Sequence, residues 1–340
     1  MAKTIFVVDD NGTSLTIAEE ALKKQYRVIT ISSAAKMFAL LEKVTPDLIL
    51  LDIAMPEMDG FEALQRLKSN DSFADIPVIF LTSLIEVETE IRGFESGVID
   101  FITKPFSEPV LLNRIKTHLS IDELIRERTA KLERLQNDLV YILADIVEGR
   151  DKETDGHIER TSIYMKILID GMFAHELYVD EIRKWNPELM ISSARLHDVG
   201  KIAIPDAILN KSGSLTLEEF ETMKKHAKEG EKIIDRVAFR IGDEVTFLQN
   251  AKLFAGCHHE RWDGSGYPNG LKGVDIPLQG RMMAIIDVYD TLLSKRPYKK
   301  PLTEEETFNL IKDNSGKLFD PAIVDVFLKV KDQLSAVKRD

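Results

Sequence analysis

Only one cysteine, Cys257, occurs in the 340 residues. A lone thiol cannot form an intramolecular disulfide, so the fold must rest on packed cores, and such sparing cysteine use suits the reducing cytoplasm. Basic charge is also in deficit: 45 Lys and Arg stand against 57 Asp and Glu, a net charge of -12. The deficit is shared, because residues 1–120 carry 12 basic and 18 acidic side chains and residues 121–340 carry 33 and 39. Neither part offers the basic face that non-specific nucleic-acid binding needs. A phosphate-bearing substrate stays open, since bound cations reverse the local sign. No uninterrupted apolar stretch is long enough to span a bilayer. The start Met1-Ala2-Lys3, followed by a short apolar strand, lacks the apolar core and cleavage site of a signal peptide. A cytoplasmic protein without membrane segments is expected, and the length calls for two domains.

Over residues 1–120, short apolar runs (Thr4–Val8, Arg27–Thr30, Leu48–Leu51, Val78–Thr82, Asp100–Thr103) alternate with helix-like segments such as Leu15–Gln25 and Ala34–Val44. Continuous apolar strands separated by helices predict a doubly wound, five-stranded parallel sheet. In that class of sheet the site lies beyond the carboxyl ends of the strands. Asp9 and Asp10 follow the first strand and Asp52 the third; three converging carboxylates repel one another unless a hard cation such as Mg²⁺ joins them. Thr82 ends the fourth strand and Lys104 follows the fifth. With Met55-Pro56-Glu57-Met58-Asp59-Gly60 and Thr103-Lys104-Pro105-Phe106, these residues resemble the receiver domain of two-component response regulators. The resemblance implies a flavodoxin-like α/β fold in which Asp52 accepts a phosphoryl group from a sensor histidine kinase. It further implies that Asp9, Asp10 and Asp52 bind Mg²⁺, that Thr82 and Lys104 touch the phosphoryl oxygens, that Phe101 is the switch aromatic, and that Lys104–Pro105 can be cis.

Positions 121, 125, 128, 132, 135, 139, 142 and 146 follow an alternating four-three spacing and are apolar except Arg128. That is a coiled-coil seam, predicting a linker helix over 121–147 and a parallel homodimer through it. Leu112, Ile115 and Leu119 carry a similar stripe out of register, as a stutter would produce.

Residues 148–340 are helical in pattern, with helices expected at Ile158–Ile169, Leu189–His197, Leu217–Ile234, Val245–His258, Arg281–Ser294 and Thr303–Asp313, and a long glycine-rich loop at Trp262–Gly280. Six of the seven histidines fall here, five of them in separated signatures with carboxylates: Glu153 with His157, His197-Asp198 followed by Lys201, His226, and His258-His259-Glu260. Imidazoles mixed with carboxylates suit transition metals. Two ions about 3.5–4 Å apart clamp the attacking and leaving oxygens of an in-line displacement at phosphorus. If His197 and Asp198 sit on a helix, their side chains point about 100° apart, so that one can cap an ion and the other bridge two. The four-residue spacing from Glu153 to His157 places both on one helical face, with Gly156 as the weak point.

Further signatures follow in order: Gly156-His157, Arg160, Gly200-Lys201, Gly230, Gly264-Ser265-Gly266-Tyr267-Pro268, Asp287-Val288-Tyr289-Asp290, Arg296-Pro297-Tyr298-Lys299 and Phe319-Asp320-Pro321. Taken together they resemble the HD-GYP phosphodiesterases, an all-α subgroup of the HD hydrolases. The resemblance implies that His157, His197, Asp198, His226, His258, His259 and Asp287 ligate metal, with Asp198 bridging and catalytic, and that Glu153 adds a third ion to the usual two. The ions implied are iron or manganese. Lys201, also a catalytic candidate, is expected at the substrate phosphates with Arg296 and Lys299, and the Gly266-Tyr267-Pro268 loop at the site's border. Ala227 departs from a frequent proline, which touches only local backbone geometry. Cys257 is read as a packing residue, and Trp262 and Tyr267 as loop aromatics that pack against their own domain, with stacking on guanine as the alternative.

The implied activity is hydrolysis of cyclic di-GMP, set by phosphorylation of Asp52, with either pGpG or, after a second cut, GMP as the final product. Diguanylate cyclase-domain proteins are candidate partners. Two readings stay open beside it: another cyclic dinucleotide such as cyclic GMP-AMP, and a phosphorylation-controlled protein-binding module with little catalysis. The expected division is 1–120 receiver, 121–147 linker and 148–340 metal-dependent domain.

Overall fold

The computed structural model describes residues 2–70, 72–83, 87–150, 156–241, 245–294 and 300–338. The chain divides into two compact units, Met1–Leu132 and Glu133–Asp340.

In the first unit, β1 (Thr4–Val8), β2 (Arg27–Ile31), β3 (Leu48–Asp52), β4 (Val78–Thr82) and β5 (Asp100–Thr103) alternate with α1 (Gly12–Leu22), α2 (Ala34–Leu41), α3 (Gly60–Lys68) and α4 (Val87–Glu95). All pairings are parallel, in the order β2-β1-β3-β4-β5. Strands β3 and β4 are buried at every position, as strands covered on both faces must be. One apolar layer gathers Phe6, Ile49, Phe80 and Phe101 against α2 and α3. The other gathers Ile5, Leu50, Ile79 and Leu81 against α1 and Leu111, Ile115 and Leu119. The order reverses beside β1, so Asp9 and Asp52 leave adjacent strand ends at the crevice. Asn11 and Asp59 cap α1 and α3 with their side chains.

A single helix, α5 (Glu108–Glu148), runs from the first unit into the second without a break. The seam positions Ile121, Ile125, Leu132, Leu135, Leu139, Ile142 and Ile146 are all exposed along it. A different stripe, Val140, Ala144 and Val147, is buried in the second unit.

The second unit continues with α6 (His157–Ala174), α7 (Val179–Trp185), α8 (Pro187–Ala194), a 3₁₀ turn (Val199–Ala203), α9 (Asp206–Leu209), α10 (Leu217–Ile241), α11 (Thr246–Cys257), α12 (Leu278–Leu293), α13 (Glu304–Asp313), α14 (Pro321–Lys329) and α15 (Lys331–Ser335). Its main core joins Tyr164, Leu168, Met282, Ile286, Tyr289, Ile323 and Phe327. Local chemistry sets the helix starts: Asn186 and Asp320 cap helices whose first residue is proline, and Thr303 with Glu306 forms a capping box. One expectation needs correction. Helix α8 ends at Ala194, so His197 and Asp198 lie in the turn before the 3₁₀ segment rather than on a helix. Helix α6 begins at His157 behind Gly156 at φ 70, a left-handed residue that stops the helix from extending backwards. Glu153, expected to share a face with His157, lies outside the described residues. Among the described residues no helix is long and apolar enough to cross a membrane.

Gly60 opens α3 directly beneath β3. A Cβ there would stand 2.5 Å from the Asp52 carbonyl oxygen, which is backbone and cannot swing aside. Gly60→Ala is expected to cost about 1–3 kcal/mol through overpacking, read as a lower urea midpoint for the first unit. An unchanged midpoint would mean that α3 does not seat against β3 as described.

Candidate functional site

At the first unit's strand ends, Asp9, Asp10 and Asp52 bring carboxylate oxygens within 4.8 Å of one another. Lys104 Nζ lies 2.6 Å from Asp9 Oδ2 and 2.7 Å from Asp52 Oδ1. Burial pushes the Asp52 carboxyl above its ordinary range, Asp9 and Asp10 push the same way, and Lys104 opposes them. A group crowded by like charge in this way gains from a divalent cation. Thr82 is buried at the end of β4, and its carbonyl accepts from Lys104 N–H at 2.7 Å. Lys104–Pro105 is cis. Phe101 is buried, its ring 5.7 Å from Phe80 and 5.1 Å from Phe94. His118, outside every motif, is half-buried with Nε2 3.0 Å from Asp100 Oδ2.

In the second unit, α6, the turn after α8, α10, the end of α11 and α12 converge. Asp198, His226, His258 and His259 form one group able to hold an ion, and His157, His197 and Asp287 form another. Asp198 faces both. Its Oδ1 lies 3.3 Å from His226 Nε2 and 3.6 Å from His258 Nε2, while Oδ2 lies 3.5 Å from His197 Nε2 and 2.9 Å from Lys201 Nζ.

The partners of the Nδ1 atoms decide what the Nε2 atoms present. His197 Nδ1 is 3.0 Å from the Ala194 carbonyl, His226 Nδ1 is 2.7 Å from that of Met223, and His258 Nδ1 is 2.9 Å from that of Phe254. His157 Nδ1 is 2.8 Å from Asp290 Oδ2. Carbonyls and carboxylates only accept, so the proton belongs on Nδ1 in each ring and the Nε2 lone pair points inward. His157 and His197 then oppose lone pairs at 3.3 Å, as do His226 and His258. Two nitrogens each ~2.1 Å from one ion stand roughly 3–3.4 Å apart. Asp198 Oδ1 is accordingly buried without a hydrogen-bond donor. Orphaned acceptors facing inward are what a pair of cations would satisfy, so the donor set fits divalent metal.

Electrostatics agree. Burial pulls His197 and His226 down to about 4 and His259 well down. His157 goes up: burial is the largest single effect and lowers it, but Asp290, Asp287 and Asp198 together outweigh it. Asp198 is held well below the usual carboxylate range; burial opposes this, and Lys201 and His197 overcome it. Asp290 sits near 2, with His157 and Arg160 overcoming its burial.

Glycines allow these elements to meet. A Cβ on Gly200 would lie 1.9 Å from the His226 carbonyl oxygen, so only glycine lets the Lys201 segment rest on α10. A Cβ on Gly266 would lie 2.6 Å from the His259 carbonyl oxygen. Glu260, almost fully buried, accepts from the backbone N–H groups of Asn269 at 2.7 Å and Leu271 at 3.0 Å, fixing that loop. Cys257 packs against Gly280, and burial pushes its thiol up to about 12. Ala227 is fully buried and α10 runs through it unbroken.

Beside the metal groups opens a cleft of about 300 Å³, lined by Asp198, Lys201, Tyr267, Asp287 and an apolar wall of Ile208, Leu209, Leu215 and Met223. Of the Gly266-Tyr267-Pro268 loop, Tyr267 reaches this lining, its ring 4.7 Å from His259; Pro268 follows a cis peptide bond. Arg296 and Lys299 lie outside the described residues. The sequence reading gave no separate role to Asp290 and Arg160, although the three-residue step from Asp287 to Asp290 marks one face of α12. It passed over Glu148 altogether.

A receiver-type sheet is thus followed by a helical domain holding two His/Asp groups able to bind metal. Residues 5–116 match the response regulator receiver domain and residues 146–323 match the HD domain. A probable cyclic di-GMP phosphodiesterase of Vibrio cholerae is 40% identical over 96% of this chain and 77% of its own length. The cyclic di-GMP phosphodiesterase response regulator RpfG of Xanthomonas campestris is 34% identical over 98% of this chain and 89% of its own. A 3'3'-cGAMP-specific phosphodiesterase 2 of V. cholerae is 41% identical over 61% of this chain and 37% of its own. The chain belongs to the response regulators that join a receiver to an HD-domain phosphodiesterase, and its HD domain binds divalent metal.

The lowered imidazoles make a test in metal-free protein. Below the ordinary value of 6.5 the unfolded chain takes up protons at His197, His226 and His259 that the folded chain refuses down to about 4 for the first two. Stability therefore falls as pH falls through that window, with the raised His157 running the other way. Chelated protein should show a thermal midpoint that drops from pH 6.5 towards 4, with a shallower slope in His226→Asn. A slope that the substitution leaves unchanged would contradict the inward lone pairs.

Proposed function

We propose that this response regulator hydrolyses cyclic di-GMP to linear pGpG, and onward to GMP, at a polynuclear centre of iron or manganese. The observation that carries the reading is the half-buried Asp198, facing both histidine groups at the edge of the cleft, with Lys201 paired to it. His157, His197 and Asp287 would hold one ion and His226, His258 and His259 another, with Asp198 shared and Glu153 assigned to a third. An all-nitrogen-and-oxygen donor set suits iron or manganese. The ions supply Lewis acidity to the phosphorus centre and to the attacking water. The protein's part is placement. Lys201, already paired with Asp198, presents positive charge to a substrate phosphate, with Arg296 and Lys299 assigned the same task. The apolar wall of the cleft accepts a base, and Tyr267 with its loop borders the opening. Relatives that span both domains and are named for cyclic di-GMP support that substrate.

In this account Asp52 takes its phosphoryl group from a sensor histidine kinase, with Mg²⁺ on Asp9, Asp10 and Asp52 and with Thr82 and Lys104 on the phosphoryl oxygens. Phe101 and α5 respond. The seam of α5, exposed along its apolar positions, closes a parallel homodimer. The division into a 1–120 receiver, a 121–147 linker and a 148–340 catalytic domain belongs to the same proposal. A second reading, 3'3'-cyclic GMP-AMP as substrate, is favoured by the relative of that specificity.

Purified protein loaded with Fe²⁺ or Mn²⁺ should hydrolyse cyclic di-GMP faster than 3'3'-cyclic GMP-AMP, with products read by chromatography; the reverse ranking selects the second reading. His197→Ala and Asp198→Ala should each lose more than the ~10–100-fold typical of outer-shell partners. Turnover that survives in both would end the site assignment. Beryllofluoride at Asp52 should change the rate and Asp52→Asn should abolish that change; a rate indifferent to bound mimic would separate the receiver from catalysis.

A further inference from the structure

Helix α6 starts on His157, and its N-terminal amides need acceptors. Gly156, the residue before it, has no side chain to supply one. The acceptor comes from elsewhere: Glu148 Oε1 is 2.9 Å from His157 N and Oε2 is 3.4 Å from Ile158 N. Glu148 is the last residue of α5, so the connector helix caps the helix that delivers a metal-facing imidazole. A carboxylate on a helix N-terminus is also favoured by the helix dipole.

Two residues on, Arg150 grips the other side of the centre. Its Nη1 donates to the Ile202 carbonyl at 2.9 Å, and its Nη2 donates to the Ile204 carbonyl at 3.2 Å and to Asp206 Oδ1 at 2.7 Å. Those acceptors are in and just after the 3₁₀ turn that carries Lys201. Between the two grips, Val140, Ala144 and Val147 pack with Ile158, which follows His157, and Leu196, which precedes His197. The end of α5 thus touches the backbone at His157 and at the Lys201 segment. The exposed stripe Leu135, Leu139, Ile142 and Ile146 lies on the same turns, roughly opposite.

We propose that Glu148 is a positioning residue for the metal centre: by capping α6 it fixes His157, and with Arg150 it makes the placement of metal-facing groups depend on the orientation of α5. A rotation of α5 sufficient to repack its exposed stripe would draw the Glu148 carboxylate off the α6 amides and shift His157 Nε2 relative to His197 Nε2. The inference rests on the proposed metal centre but not on the identity of the substrate.

The test uses the full chain and three variants. Mn²⁺ is titrated into chelated protein with metal affinity and stoichiometry read directly, and kcat and KM are measured separately. Glu148→Ala should weaken binding of one ion by about 10–100-fold, the range for outer-shell partners, and lower kcat with KM little changed. Glu148→Gln keeps one acceptor oxygen and should fall between the Ala variant and wild type. Should the Ala variant not fold, Glu148→Asp, whose carboxyl falls one methylene short of the amides, is expected to show the same loss. Wild-type affinity and kcat in folded Ala or Asp protein would overturn the proposal, as would a Gln variant no better than Ala. If wild type hydrolyses no cyclic dinucleotide, the proposed substrate fails while the metal titration still decides the role of Glu148.

Discussion

The second unit is organised around a repulsion. Four imidazoles whose Nδ1 protons are committed to backbone carbonyls or to Asp290 turn their lone pairs towards one another and towards the buried Oδ1 of Asp198. Such an arrangement is costly without positive charge inside it. Lys201 provides one charge; divalent ions would provide the rest. Much else in the unit follows from holding these groups against their mutual repulsion: glycines at 200 and 230 that bring the 3₁₀ turn onto α10, the cap on α6, and Arg160 clamping Asp290 at 2.7 Å behind His157.

The same logic recurs at smaller scale in the first unit. Asp9, Asp10 and Asp52 crowd one crevice, and Lys104 bridges two of them. A phosphoryl group added at Asp52 would bring further negative charge, drawing on Lys104 and on a cation together. Both units thus concentrate carboxylate charge beside a lysine, and α5 runs continuously from one unit into the other. Its apolar positions divide into stripes with different neighbours: buried in the first unit, exposed along the seam, and buried again beside His157 and His197.

The sheet was legible from sequence because strands buried on both faces read as unbroken apolar runs, and all five begin where those runs begin. The histidines and aspartates were legible as a set because their spacing repeats a known family pattern. Three features were not. The turn that carries His197 and Asp198 looked helical because Leu189–Leu196 keeps an apolar period to its end; where a helix stops is set by tertiary contact with α10 through Gly200, which local pattern does not report. Glu148 reads as one more charged residue on a charged helix, and its role exists only because Gly156 leaves α6 uncapped. His118 falls outside every motif, yet β5 brings Asp100 to it. Each miss is a contact between different elements, which the local pattern of either one does not report.

The most direct measurement is the anomalous scattering of crystals loaded with Mn²⁺ or Fe²⁺. The account predicts at least two peaks per chain, each ~2.0–2.2 Å from imidazole Nε2 atoms, with one oxygen of Asp198 at each. A single peak, ions held through Nδ1, or peaks that leave Asp198 uncoordinated would contradict it.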